Sequence, residues 1–216
     1  MAKVNAINNE SEELTIDPGA SGDSFIQLDI NATNEFIMGV DDDDSDAFKI
    51  SSGSTLGTTD SMVITAAGEI TKPRQPAFHA YLPSTVNNVS GTGTVWTFGT
   101  STSFTEVFDV NSDLSNATFT APVTGRYAFF AACKLTDCSA LSDLEIRTAV
   151  SNRDINGKMN SRTGTSADYG AQMCCLADMD AADTANFRIS AYGEASNRND
   201  IVGGASTTWI GGYLLC

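Results

Sequence analysis

Residues 119–129, Phe119-Thr-Ala-Pro122-Val-Thr-Gly125-Arg-Tyr127-Ala-Phe129, constrain the fold more than any other stretch, because two strand patterns meet there across a Pro-x-x-Gly turn. Pro122 lacks an amide hydrogen and fixes its own φ, and Gly125 tolerates positive φ, so the chain is expected to leave one strand there and enter another. Beyond the turn, Tyr127, Phe129, Ala131, Cys133 and Leu135 recur at every second position. That period lays their side chains on one face of a sheet.

The same texture continues through the C-terminal two thirds. Strand candidates at 77–81, 95–98, 106–110, 117–120, 126–135, 144–151, 171–179, 186–192 and 207–215 alternate with Gly, Asn, Asp and Ser, and no 3.6-residue period survives a count. An all-β sandwich or jelly roll is expected. Trp96, Phe98, Phe104, Phe108, Phe119, Tyr127, Phe129, Phe187, Trp209 and Tyr213 lie on these strands and are mostly core. Both faces of a strand cannot point inward, so Phe130 and one of Trp209 or Tyr213 are expected to pack between subunits.

Upstream the texture changes at Lys72-Pro73-Arg74, which divides the chain into an N-terminal segment 1–20, a region 21–75 and a domain 76–216. Within 21–75 short alternating pieces recur: Ile26, Leu28, Ile30; Phe36, Met38, Val40; Phe48, Ile50; Met62, Ile64; and Ile70. Turn-forming spacers separate them, which predicts a meander of short strands. Roughly fifty residues with one apolar side chain in two cannot enclose a core alone. Three chains are therefore expected to wrap this region into a short β-rich stalk.

Charge and thiols narrow the function. With 27 acids against 12 bases in 216 residues, the formal charge of -15 repels phosphate backbones and anionic headgroups, so no nucleic-acid partner is expected. Residues 1–20 are polar and acidic without an apolar h-region, and no later run approaches the ~20 apolar residues of a membrane span. Neither a signal peptide nor membrane insertion is expected. Cys133, Cys138, Cys174, Cys175 and Cys216 lack zinc-type spacing, and an odd number cannot all pair within one chain. They are expected as free thiols of a reducing compartment, Cys133 and Cys175 facing the core and Cys174 facing out.

The run Asp41, Asp42, Asp44 and Asp46 has the carboxylate density of a calcium site, but no Gly or Glu stands where an EF-hand loop requires one. A solvated turn is the competing expectation. Asp178, Asp180 and Asp183 form a second acidic group in a strand-to-strand turn, where Asp commonly bonds its own backbone. The single histidine, His79, lies between Phe78 and Ala80 and so points away from their core face. With no Gly-x-Ser-x-Gly elbow either, no enzyme activity and no cofactor are expected. Polar stretches at 87–93, 152–164 and 196–204 are expected as loops able to contact a receptor.

Two groups of motifs carry resemblances. Pro76-Ala-Phe78-His-Ala80, Phe119 through Phe129, Ala181-Ala182-Asp183 and Ile210-Gly-Gly212-Tyr-Leu214-Leu215 resemble, in order and spacing, the globular head of the complement first-component q protein within the tumour necrosis factor superfamily. Its most specific piece is Phe-x-x-Pro-x-x-Gly-x-Tyr-x-Phe, so Phe78, Phe119, Pro122, Gly125, Tyr127, Phe129, Gly212 and Leu214 are the signature positions. Ala182 departs from the pattern, since such domains commonly have Gly before this Asp. The resemblance covers residues 76–216 and implies a ten-strand jelly roll that assembles as a homotrimer and binds, with no catalysis. Asn34-Glu-Phe36-Ile-Met-Gly39-Val-Asp41, Ser45-Asp-Ala-Phe48-Lys-Ile50-Ser, Leu56-Gly57 and Ala67-Gly68-Glu-Ile70-Thr look like modules that precede such heads in tailed-bacteriophage fibres. That second resemblance implies a virion-surface fibre or spike made in the host cytoplasm. Residues 1–20 would attach to another virion structural protein, and the head would bind a host-surface glycan or protein. The rival expectation is a capsid decoration protein or head fibre.

Overall fold

The computed structural model describes residues 16, 18–19, 21–30, 36–160, 168–194 and 196–216. The expected attachment segment 1–20 thus lies almost wholly outside the described residues, as do positions 161–164 of the second polar stretch. The chain divides into two compact units, Met1–Arg74 and Gln75–Cys216, where the sequence places the boundary between 75 and 76.

In the first unit, Ser24–Leu28 (β1), Phe36–Asp41 (β2), Ala47–Ser52 (β3), Asp60–Ile64 (β4) and Ile70–Thr71 (β5) form one antiparallel sheet in sequence order. This is the predicted meander. A single 3-10 turn at Asp42–Asp44 joins β2 to β3. It is capped by Asp41, whose carboxylate accepts the Asp43 N–H at 3.1 Å. Ser45 and Asp46, with φ of 57° and 59°, then reverse the chain in the left-handed region that short polar side chains tolerate.

The second unit contains Ala77–Tyr81 (β6), Val86–Ser90 (β7), Trp96–Thr97 (β8), Thr105–Asp109 (β9), Leu114–Ser115 (β10), Thr118–Thr120 (β11) and Gly125–Thr136 (β12). It continues with Asp143–Val150 (β13), Arg153–Asn160 (β14), Tyr169–Met179 (β15), Thr184–Tyr192 (β16), Asn197–Ile201 (β17) and Trp209–Leu214 (β18). One sheet runs β10-β11-β16-β13-β14 with β8 beside β16. The other runs β7-β17-β12-β18-β6-β9 with β15 on β12. Segments of two or three residues, β8, β10 and β11, raise the strand number above the expected ten. The unit is an all-β jelly-roll head.

Its core lies between the sheets. Phe78 of β6 stacks on Phe119 of β11 at 5.0 Å, and Phe129 of β12 meets Phe187 of β16 edge-on at 6.0 Å, so each contact ties one sheet to the other. Such pairs contribute about 0.5–1.5 kcal/mol beyond their area. Tyr127, Phe129, Ala131, Cys133 and Leu135 are all buried, as their period requires. Phe130, on the opposite face of β12, is half-buried.

The Pro-x-x-Gly segment is the crossing between the two sheets, from β11 in one to β12 in the other. Its glycine works differently from the sequence expectation. Gly125 does not adopt positive φ and already belongs to β12. A Cβ there would lie 2.7 Å from Leu214 Cδ1 and 2.9 Å from the Cys216 carbonyl, so close approach of the C-terminal strand, not a left-handed turn, excludes a side chain. Gly212 answers to the same constraint, since its Cβ would strike Phe129 and Phe78 at 2.7 and 2.8 Å.

The expected polar loops require correction. Val86–Ser90 and Asn197–Ile201 pair with one another as β7 and β17, and Arg153–Asn160 pairs with β13 along its whole length. These strands lack apolar alternation because their order comes from backbone pairing at the sheet margins. Even so, Asn199 and Ile201, inside the expected loop 196–204, are fully buried.

Candidate functional site

The most distinctive surface of the head is the outer face of its larger sheet. Residues directly opposite in neighbouring strands share a face. The register therefore places Cys174, Phe130, Gly211, His79 and Phe108 in one row across β15, β12, β18, β6 and β9. A second row holds Leu176, Ala128, Tyr213 and Ala77, and a third holds Gln172, Ala132, Trp209 and Tyr81. Neither Asp, Glu, Lys nor Arg occurs in the three rows. Phe130 stacks on Tyr213 at 6.0 Å, and His79 lies between Phe108 and Trp209 at 6.1 and 5.9 Å. Leu176 is 63% exposed and Phe108 50%. A shallow cavity of about 300 Å³ opens beside Phe130, Cys174 and Trp209.

This face carries Phe130 together with both alternatives for its companion, Trp209 and Tyr213, and leaves His79 off the core as expected. Sequence reading assigned Phe108 to the aromatic strands without placing it here. Its signal is the register with His79, which one sequence does not print. The core signature lies one layer beneath: Phe78, Phe119, Tyr127, Phe129 and Gly212 hold the strands that present these rings.

At one end of the head, the turn at Pro122–Thr124 is tied to the turn carrying Ala181, Ala182 and Asp183. Ala121 N–H donates to the Asp183 carbonyl and the Ala121 carbonyl accepts the Ala182 N–H, each at 2.8 Å. Ala181 N–H also donates to Thr124 Oγ1 at 3.1 Å. The Asp183 carboxylate accepts the Asp180 N–H at 3.1 Å, the backbone role expected of it, and Asp178 pairs with Arg126 at 3.1 Å. Ala182 has φ of 73°, a left-handed conformation at the position where the sequence pattern departs from Gly.

The acidic run of the N-terminal unit is not simply a solvated turn. Asp41 is buried and accepts a 2.8 Å hydrogen bond from Lys49 Nζ, which also lies 2.6 Å from Asp44 and 3.6 Å from Asp60. Ser51 donates to Asp60 at 2.5 Å. The Lys49 hydrogen bond holds the Asp41 carboxyl below the usual carboxylate range against the opposing effect of burial. Burial works against the Lys49 ammonium, yet its bonds to Asp41 and Asp44 outweigh that and hold its pKa above that of ordinary lysine. An ammonium therefore occupies the point where three carboxylates converge. Asp42 and Asp46 take no part, and Asp42 instead accepts the Gly22 N–H. Gly57 closes the cluster. With φ of 83° and a would-be Cβ 2.5 Å from Asp41 Oδ2, it has no room for a side chain.

The five cysteines are free thiols. Burial pushes Cys133 and Cys138 up to about 12 and raises Cys175, so these sulfurs behave as apolar packing groups. Cys174 is exposed on the aromatic face and Cys175 packs against the core, which is the orientation expected from their alternation.

No family model and no curated protein matches the chain. Among solved structures it is similar to vertex protein P5 of the phage PRD1, with a TM-score of 0.52 and 14% identity over 76% of this chain and 86% of that one. It is also similar to the globular domain of zebrafish complement 1qA, with a TM-score of 0.45 and 15% identity over 66% of this chain and 98% of that one. Murine APRIL gives 0.46 and 11% over 65% and 99%. At such identities the likeness speaks to fold. The likeness to the vertex protein agrees with the two-sheet topology of an all-β protein with a jelly-roll head. Among the described residues no helix is long and apolar enough to cross a membrane.

Proposed function

We propose that this chain is a homotrimeric virion-surface protein whose head self-associates through the aromatic face of its larger sheet and binds a host-surface receptor, most simply a glycan. The observation that supports self-association is that uncharged face. A chain of formal charge -15 repels its own copies, and three register rows without Asp, Glu, Lys or Arg offer a place where copies can meet. Burying Phe130, Tyr213, Phe108 and Leu176 removes from water what a single head exposes, as in large apolar subunit interfaces. Several heads on one particle then multiply weak receptor contacts.

The fit to a vertex protein favours a second reading, a capsid decoration protein or head fibre that ornaments the shell. Immunogold labelling of purified particles tests both. Label on particle tails supports the fibre, label on capsids supports the decoration protein, and particles without label overturn the virion assignment. Glycan-array binding by the assembled protein tests the receptor. Failure to bind any host-surface fraction removes that part of the proposal.

A further inference from the structure

The N-terminal sheet leaves one face of apolar side chains largely open. Register places Ile26, Met38, Ile50 and Met62 in one row across β1 to β4, and Val40, Phe48, Ile64 and Ile70 in another across β2 to β5. Leu28 and Phe36 pair on the same face. These ten side chains are apolar, and Ser24 and Ser52 complete their rows without a charge. The opposite face is mixed: Ile37 and Ala47 are buried there beside Lys49, Ser51 and Asp41, while Phe25 and Gln27 on β1 are exposed. From β2 to β3 that mixed face is buried, whereas the apolar rows are exposed or half-buried.

Leu28 is 54% exposed, Phe36 49% and Ile70 60%. Together with Ile26 and Val40 they present apolar surface on the order of 500 Å² per copy, at the upper end for a lone monomer and most of one side of a standard interface. The occupant of such a face is itself apolar and uncharged. Residues 1–15 do not fit, since Val4, Ile7 and Leu14 are scattered among Asn, Glu and Ser. The same face on another copy does fit, because it opposes no charge to charge in a strongly acidic chain.

We infer that the open face of the N-terminal sheet is covered by the corresponding faces of further copies, so that the chain assembles through two separate apolar surfaces. The inference rests on the proposed head association only in that heads held together raise the effective concentration of the sheets. It assigns the alternating set Ile26, Leu28, Phe36, Met38, Val40, Phe48, Ile50, Met62, Ile64 and Ile70 to an interface and not to a core within one copy.

Photocrosslinking of the full-length chain tests it. With Phe36 replaced by benzoylphenylalanine, irradiation is expected to give dimers and trimers whose crosslinked peptides fall within residues 24–71 of a second chain. The same probe at Phe25, exposed on the opposite face, is expected to give none. Crosslinks from position 36 only to the chain's own head, or no intermolecular product, overturn the inference. As a second measurement, Phe36→Glu is expected to weaken assembly at least tenfold by sedimentation, whereas Phe25→Glu leaves it unchanged; equal behaviour of the two overturns the inference. Tyr213→Glu separates the head proposal from this one. Unchanged sedimentation of Tyr213→Glu with intact crosslinks at 36 defeats the head interface and supports the sheet interface.

Discussion

The phenol of Tyr127 donates a 2.7 Å hydrogen bond to the backbone carbonyl of Val123, inside the crossing from one sheet of the head to the other. Its ring is fully buried, 5.3 Å from Phe119 and 6.2 Å from Phe129. One side chain thus fixes both the crossing and the core beneath it. Tyr127→Phe keeps the ring and leaves the Val123 carbonyl without this donor, at an expected cost of about 1–2 kcal/mol. Trp96 and Trp209 both belong to the head, so intrinsic fluorescence in urea follows its unfolding. A lower midpoint at unchanged slope is expected at fixed protein concentration. An unchanged midpoint would show that the hydroxyl contributes nothing.

Ala182 is the position where a glycine relieves strain. Its φ of 73° places Cβ against the carbonyl, while its N–H is committed to the Ala121 carbonyl at 2.8 Å, so the backbone is held in that conformation. Ala182→Gly removes a left-handed penalty of about 1–2 kcal/mol and gives back part of it as added freedom of the unfolded chain. A net gain of about 0.5–1 kcal/mol is expected, read as a higher urea midpoint. A loss of stability would show that the Ala182 methyl packs usefully.

How much of this was legible in the sequence depends on what holds each element. β12 and the meander β1 to β5 are visible because side-chain alternation reports which face is apolar, and both were anticipated to within a few residues. What alternation does not report is whether that face is covered by the same chain. β14 at the sheet edge and β17 beside the edge strand β7 are held by backbone bonds to β13 and to β7, which leave no apolar period. Polar sequence alone makes such segments look like loops. The Lys49 cluster was missed for a third reason: Asp41, Lys49 and Asp60 stand on three successive strands and become neighbours only through register. The sequence suggests Gly125 for the positive φ it tolerates, while the actual constraint is the proximity of Leu214 and Cys216.

Thiol accessibility follows from burial and gives a chemical test of the aromatic face. Cys133 and Cys138 are buried, with thiols pushed up to about 12, so iodoacetamide is expected to leave them unmodified until the head unfolds. Cys216 is exposed and is expected to react in the native protein. Cys174 stands directly opposite Phe130 in the register. In the assembled protein it is expected to react slowly and to become as reactive as Cys216 in Tyr213→Glu. Mass spectrometry of labelled peptides reads all four sites, and fast native labelling of Cys174 in the assembled protein would remove the aromatic face from the subunit interface.

The Lys49 cluster makes the N-terminal sheet pH-sensitive on the acid side. Asp41 is held below the ordinary carboxylate range, so its stabilising contribution is fully present above about pH 4 and is lost as pH falls through the depressed value. Lys49 is raised, so its contribution is fully present below about pH 10 and is lost only as pH rises through a still higher value. Between these limits the cluster contributes a constant amount. Lys49→Met removes the ammonium and leaves Asp41 and Asp60 facing each other with low exposure, at an expected cost of about 1–3 kcal/mol, less than for a deep pair because Asp44 remains in solvent. Calorimetry of the full-length chain is expected to show one transition that shifts down in Lys49→Met at pH 7, while the head transition stays in place. In that variant Asp41 and Asp60 repel when ionised, so acidification to pH 4 is expected to narrow the gap from the parent protein. A gap that widens on acidification would mean that the carboxylates are stabilised by something other than Lys49.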